Sequence, residues 1–176
     1  TKHSAAYGAA IGGRDYNSVD MRERLLREVY LPPFKATVDA GVGTFMTAFN
    51  DINGVPATGN SLILRDILKG EWGFEGFVVS DWGSVGEMIQ HGNVKDEADA
   101  ARCAITAGCD MDMESRCYTK TLEQQVNEGM VPVSLIDDAA KRILKKKFEL
   151  GLFADPYKNC DPERERMALE NPSHTA

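Results

Sequence analysis

Histidine is scarce here, three in 176 residues, and none of the four cysteines falls in a C-x-x-C spacing. His3, His91 and His174 are scattered. Cys103, Cys109, Cys117 and Cys160 offer no close pair that would converge on one ion, which argues against a structural zinc site. Cys103 and Cys109 read as small core residues, and Cys117 and Cys160 as either free or paired. No apolar run approaches the ~20 residues of a membrane-spanning helix. Positive charge is not in excess either: 20 Lys+Arg against 27 Asp+Glu leave a net charge of −7, so the chain lacks the basic face of a general nucleic-acid or polyanion binder. No signal-peptide pattern opens the chain, which begins Thr1-Lys2-His3 without a Met, and the start is expected to be a cut or processed end.

What is present is an ordinary globular composition, 43% hydrophobic and 27% charged, long enough for one domain with a real core. A complete (β/α)₈ barrel takes ~250 residues, so a barrel-like chain of this length is only part of one. Three short apolar runs, Gly43–Phe49, Gly76–Ser80 and Gly108–Met113, read as buried parallel strands at the spacing of βαβ units. Gly41 and Gly108 mark helix ends that lead directly into strands. Between the strands, Ser18 is expected to cap a helix with Met21, Leu25, Leu26, Val29 and Tyr30 on one face, closed by Pro32-Pro33. Ser61–Leu68 and the Ala-rich Asp96–Ala107 read as further helices. Ser134–Leu150 carries the strongest stripe: Leu135, Ile136, Ala139, Ala140, Ile143, Leu144 and Phe148. Ser134 and Asp137 resemble a capping box, and Lys145, Lys146 and Lys147 suit the last turn of that helix. After Gly151 the chain is expected to be irregular and charged. With a strand ending at Lys2-His3, this makes four β-α units and an exit: half a parallel barrel, or a piece of an open α/β sheet.

In parallel α/β folds, ligands meet the C-terminal ends of the strands. Asp81 and Trp82 follow the run Gly76–Ser80, Lys2-His3 ends an earlier strand, Asn50 to Gly54 follow the next, and Asp110 and Asp112 lie in the last. Asp81 is the sharpest candidate, because a carboxylate after an apolar strand must be hydrogen-bonded or charge-paired; an Asx turn or helix N-cap would also satisfy it. The neighbouring Trp82 points to sugar chemistry, since an indole packs on the C–H face of a sugar and a carboxylate attacks an anomeric carbon. Lys2 and His3 read either as an exposed pair or as donors to hydroxyls, with Lys2 also able to keep a nearby carboxylate ionised. Asn53-Gly54 reads first as a turn. Asp110 and Asp112 alternate, so at most one faces the centre. Glu114 follows a strand end, and no motif matches it to a role.

The segments Lys2-His3-Ser4-Ala5-Ala6-Tyr7-Gly8, Met46 to Ala57 (MTAFNDINGVPA), Trp72 to Trp82 (WGFEGFVVSDW) and Leu150-Gly151-Leu152-Phe153 occur in the order seen in glycoside hydrolase family 3. The chain resembles the bacterial β-glucosidases of that family over nearly its whole length. The resemblance implies that Asp81 is the nucleophile of a retaining mechanism. It also implies that Lys2 and His3 hydrogen-bond the non-reducing-end sugar and that Trp82 lines the neighbouring subsite. Phe49 stands near the nucleophile where many members carry Tyr, and Ser4 where an aromatic is often found.

The same resemblance implies an α/β fold, the C-terminal half of a (β/α)₈ barrel truncated at both ends. Residues 1–153 would carry the nucleophile, and residues 154–176 would be a linker or tail toward a second domain. The function implied is cleavage of terminal β-D-glucosyl residues of a β-glucoside or oligosaccharide, without a metal or organic cofactor. The remainder of the barrel, and a second domain or another chain, would supply further sugar-binding residues and the general acid/base Glu. The 176 residues alone are thus expected to be inactive. No nucleic-acid or membrane partner is expected, and a periplasmic or secreted location is implied by the resemblance alone. Two rivals remain: a non-catalytic carbohydrate-binding remnant of the same fold, and a Schiff-base barrel enzyme using Lys2.

Overall fold

The computed structural model describes residues 1–174. Thr1–Ile143 forms one compact unit, and the chain from Leu144 onward forms a second.

The frame of the first unit is a set of parallel segments. Thr1–Ser4 lies beside β1 (Thr44–Met46), with Ser4 N–H donating to Met46 O and Met46 N–H to Thr1 O, both at 2.9 Å. β1 pairs in turn with β4 (Phe77–Val79) in the register Thr44–Phe77, Phe45–Val78, Met46–Val79. Parallel bridges join Ser4 to Thr47 and Val79 to Met111. The expected strands at 43–49 and 76–80 are therefore present in shortened form. The third, Gly108–Met113, is reduced to the single Met111 bridge. Its physical reason is Asp110, whose Oδ2 accepts the Val78 N–H at 2.8 Å in place of a backbone carbonyl. Gly76 at the head of β4 admits no side chain, because a Cβ there would lie 2.1 Å from Gly43 O.

β2 (Asp51–Ile52) and β3 (Val55–Pro56) form a small antiparallel hairpin. Asn53 and Gly54 make its turn with φ of 54° and 81°, the left-handed pair that a two-residue hairpin favours. Asn53 also fastens the preceding loop: its Oδ1 accepts from Met21 N–H at 2.9 Å and its Nδ2 donates to Met21 O at 2.8 Å.

The helices surround this frame. α1 (Glu23–Leu25) runs into a π-helical turn, Leu26–Tyr30, closed by Leu31 N–H to Leu26 O at 2.9 Å. Ser18 does not cap it: the Ser18 hydroxyl donates to Asp51 Oδ2 at 2.5 Å, and Leu25 and Val29 face solvent. Pro32 and Pro33 open α2 (Pro32–Asp39), where their missing N–H groups cost nothing. The expected helix at 61–68 is π-wound over Leu62–Glu71 and buries Ile63, Leu64, Ile67 and Leu68; Leu62 lies outside the buried face. α3 (Ser84–Glu87) is short. α4 (Glu97–Ala107) is capped by the Asp96 carboxylate and ends at Gly108.

α5 (Cys117–Asn127) has no counterpart among the sequence expectations, since it buries only Cys117, Leu122 and Gln125. α6 (Val133–Glu149) contains Ser134 within its first turn, which removes the expected capping box; Leu144 and Phe148 are exposed. In the second unit α7 (Pro162–Leu169) is helical where the composition predicts irregular chain, because Asp161 accepts from Glu163 N–H and Arg164 N–H and Pro162 presets the first turn.

Phe45 of β1 meets Phe34 in a tilted contact and Phe74 edge-on, with centroid spacings of 6.2 and 5.0 Å. Val78, Val85, Met88 and Ala100, Ala101 and Ala104 of α4 complete the core. All four thiols are free; Cys109 and Cys117 are buried and Cys160 is exposed.

Candidate active site

Asp81 stands two residues past β4, where the parallel segments end, and only 8% of it is exposed. Its Oδ1 accepts the Trp82 N–H at 2.7 Å. Its Oδ2 is buried without a hydrogen-bond partner and lies 3.2 Å from His3 Nε2, on the carboxylate oxygen that the backbone does not engage. The Asx-type turn and the imidazole contact therefore occupy two different oxygens.

A closed ring of hydrogen bonds holds the backbone of Asp81. Its N–H donates to Thr47 Oγ1 at 3.3 Å; Thr47 Oγ1 meets Thr58 Oγ1 at 2.8 Å, and Thr58 Oγ1 meets Ser84 Oγ at 2.9 Å. Ser84 N–H returns to Asp81 O at 3.1 Å. Thr47, Thr58 and Ser84 are all buried. Ser80 adds a further tie, donating to Asp81 O at 3.0 Å while accepting from Met113 N–H at 2.8 Å. Buried hydroxyls engaged on both sides fix geometry, since releasing any one leaves its neighbours unsatisfied.

The other expected residues divide. His3 reaches Asp81, whereas Lys2 is exposed and forms no ion pair among the described residues. Trp82 is 63% exposed, a free indole face next to the carboxylate. Phe49 is half-buried in an aromatic wall, 4.7 Å from the Tyr16 ring and 6.3 Å from Tyr7, and Tyr7 in turn meets the His3 ring edge-on at 5.2 Å. Asp110 is occupied elsewhere, paired with Lys69 Nζ at 2.6 Å. Asp112 Oδ2 accepts from Tyr118 N–H at 3.2 Å, and Glu114 is exposed.

Several residues not singled out by the sequence gather near the same place. Tyr7 OH hydrogen-bonds Asp15 Oδ1, and burial and that carboxylate push the Tyr7 phenol up. Tyr16, Glu87, Gln90 and His91 line a cleft of about 360 Å³. Burial raises the Glu87 carboxyl above its ordinary range; Asp81 and Asp15 raise it further and His91 opposes them. His91 Nδ1 lies 3.9 Å from Asp51 Oδ2. Glu87 and His91 sit four positions apart just beyond Ser-Asp-Trp, a one-face spacing that is visible in the sequence. Among the described residues no group of three or more His, Cys, Asp or Glu is placed to hold a metal ion, and no helix is long and apolar enough to cross a membrane.

A carboxylate with one open oxygen, an imidazole and an exposed indole at the ends of parallel segments is an arrangement suited to a sugar. The chain belongs to glycosyl hydrolase family 3: residues 1–146 match the N-terminal domain of that family. It is 47% identical over 162 residues to a periplasmic beta-glucosidase of Salmonella typhimurium, covering 92% of this chain and 21% of that protein. It is 40% identical over 171 residues to a beta-xylosidase of Formosa agariphila, covering 92% of this chain and 24% of that one. The beta-glucosidase of Listeria innocua, solved in complex with glucose, superposes with a TM-score of 0.87 at 46% identity, over 89% of this chain and 22% of that one. The chain thus spans between a fifth and a quarter of the length of these relatives.

Proposed function

We propose that the full-length protein carrying this chain is a retaining β-glucosidase in which Asp81 is the nucleophile. The observation that carries the reading is the Asp81 carboxylate, held through Oδ1 by the Trp82 N–H with its buried Oδ2 free of hydrogen bonds beside His3. In this reading Oδ2 attacks the anomeric carbon, the glycosidic C–O bond breaks, and the leaving oxygen takes a proton from a second carboxyl group. Water then displaces Asp81 from the sugar, giving its proton to that same group. Lys2 and His3 hold sugar hydroxyls, Phe49 bounds the sugar, and Trp82 forms the platform outward from it.

The parallel order Thr1–Ser4, β1, β4, Met111 supports residues 1–153 as the C-terminal half of an eight-stranded β/α barrel, and we propose residues 154–176 as a linker or tail. The chain matches under a quarter of its relatives' length, so the remaining barrel strands and the acid/base carboxyl are assigned to the rest of the protein. The names of the relatives support a terminal β-glucosyl group: Listeria structures hold glucose, isofagomine and, in a mutant, laminaribiose. A location outside the cytoplasm is proposed from the periplasmic relative.

The test is the proton NMR time course of aryl β-glucoside hydrolysis by the full-length protein. β-Glucose released first supports a nucleophilic Asp81; α-glucose released first identifies an inverting enzyme and rejects the reading.

A further inference from the structure

Glu87 is built into the wall of the cleft beside the nucleophile, and its chemistry is unspent. Its Oε2 is buried and has no hydrogen-bond partner. A carboxylate oxygen without donors is expensive to bury, and a ligand hydroxyl removes that cost. Around it the cleft offers a carboxamide (Gln90), an imidazole (His91) and a phenol (Tyr16), in a volume of about 360 Å³, within the ~300–1,000 Å³ of small-molecule sites. Burial and the neighbouring carboxylates Glu87, Asp15 and Asp81 raise the Tyr16 phenol, which keeps it a proton donor. These groups both give and accept hydrogen bonds, as the vicinal hydroxyls of a pyranose do.

The cleft adjoins Asp81 and is the more exposed side of the site. The terminal sugar must seat on the buried Asp81 and the half-buried His3. Glu87 follows Asp81 in the chain past the exposed Trp82, and Tyr16 and Gln90 form a solvent-facing rim. We infer that Glu87, together with Gln90 and His91, recognises the hydroxyls of the second sugar, the one that leaves as aglycone and that returns as acceptor. The inference rests on the reading of Asp81 as nucleophile. It makes Glu87 a specificity residue and predicts a preference for sugar over simple aryl leaving groups.

Trapping the full-length enzyme with a 2-deoxy-2-fluoro-β-glucosyl fluoride isolates the step. Reactivation of the trapped enzyme is then followed in buffer alone and with increasing phenyl β-glucoside as acceptor. In Glu87→Gln the ratio of acceptor-dependent to water-only reactivation falls about tenfold, the loss of one charge-assisted hydrogen bond. Gln90→Ala, on the rim, lowers it less. An unchanged ratio in both variants overturns the inference, as does a Glu87→Gln defect equal for water and acceptor, which would place Glu87 in the chemistry. If the wild type is not trapped at all, the fault lies with the reading of Asp81 and not with Glu87.

Discussion

The imidazole of His3 meets the carboxylate of Asp81 with Nε2 3.2 Å from Oδ2, joining the first of the parallel segments to the loop beyond β4. That contact leaves the His3 ring at the lip of the site, packed edge-on against Tyr7. On the proposed reading, a sugar bound on Asp81 meets the His3 imidazole, and a sugar hydroxyl that donates to it becomes a stronger donor as positive charge develops on the ring in the transition state.

His3→Ala in the full-length protein is expected to lower kcat/KM for an aryl β-glucoside by about 10- to 100-fold, the worth of a charge-assisted hydrogen bond of about 1.5–3 kcal/mol. Lys2→Ala is expected to act in the same direction through the sugar alone, since Lys2 is exposed and outside the His3–Asp81 contact. Circular dichroism and the melting temperature should stay near wild type. Activity lost only in step with unfolding would contradict the binding role of the pair.

Thr58 is the centre of the hydroxyl ring that reaches Asp81 through Thr47 and Ser84. Thr58→Val keeps the volume and removes the hydroxyl, leaving Thr47 and Ser84 each short of a partner. It is expected to lower kcat about tenfold with KM nearly constant, and to destabilise by about 1–3 kcal/mol, the penalty for unsatisfied buried groups. Thr58→Ser restores the hydroxyl and is expected to recover most of kcat. Equal kcat in the Val and Ser variants would show that the ring does not position the nucleophile.

Lys69 and Asp110 form a buried pair, with side chains 6% and 3% exposed, and Asp110 also holds the Val78 N–H. Burial pulls the Lys69 amine down and pushes the Asp110 carboxyl up. Lys69→Met removes the partner and is expected to cost about 3–5 kcal/mol near neutrality. A carboxyl raised in the folded state stabilises fully below the unfolded value and loses that contribution as pH rises through the folded one. The defect of Lys69→Met should accordingly be smaller near pH ~4 than near pH ~7, measured as the difference from wild type in urea unfolding at each pH. A defect that grows on acidification would contradict this account.

Much of this arrangement is legible in the sequence because it rests on local chemistry. The run Gly76–Ser80 followed by Asp81-Trp82 places a carboxylate at a strand end, Asn53-Gly54 closes a hairpin, and Asp96 and Gly108 bound α4. Long-range contacts leave no such mark. Thr47, Thr58 and Ser84 are ordinary hydroxyl residues until folding stacks three separate segments. Ser18 looks like a helix cap because nothing local reveals Asp51 as its partner. The strand at Gly108–Met113 is cut short by Asp110, whose partner Lys69 comes from the preceding π-wound helix. α5 carries too few buried apolar residues for its period to stand out. Glu87 and His91 were readable as an i, i+4 pair, but only the cleft gives that spacing a meaning.

The central claim is that the Asp81 carboxylate becomes covalently bonded to the sugar. Treating the full-length enzyme with a 2-deoxy-2-fluoro-β-glucoside and digesting it with trypsin should add one fluoroglucosyl group to the peptide Gly70–Lys95, which also contains Glu71, Glu75 and Glu87. Tandem mass spectrometry then localises the group. The account predicts that it lies on Asp81 and is absent from Asp81→Ala; a label on Glu87, on any other carboxylate, or retained in Asp81→Ala would contradict it.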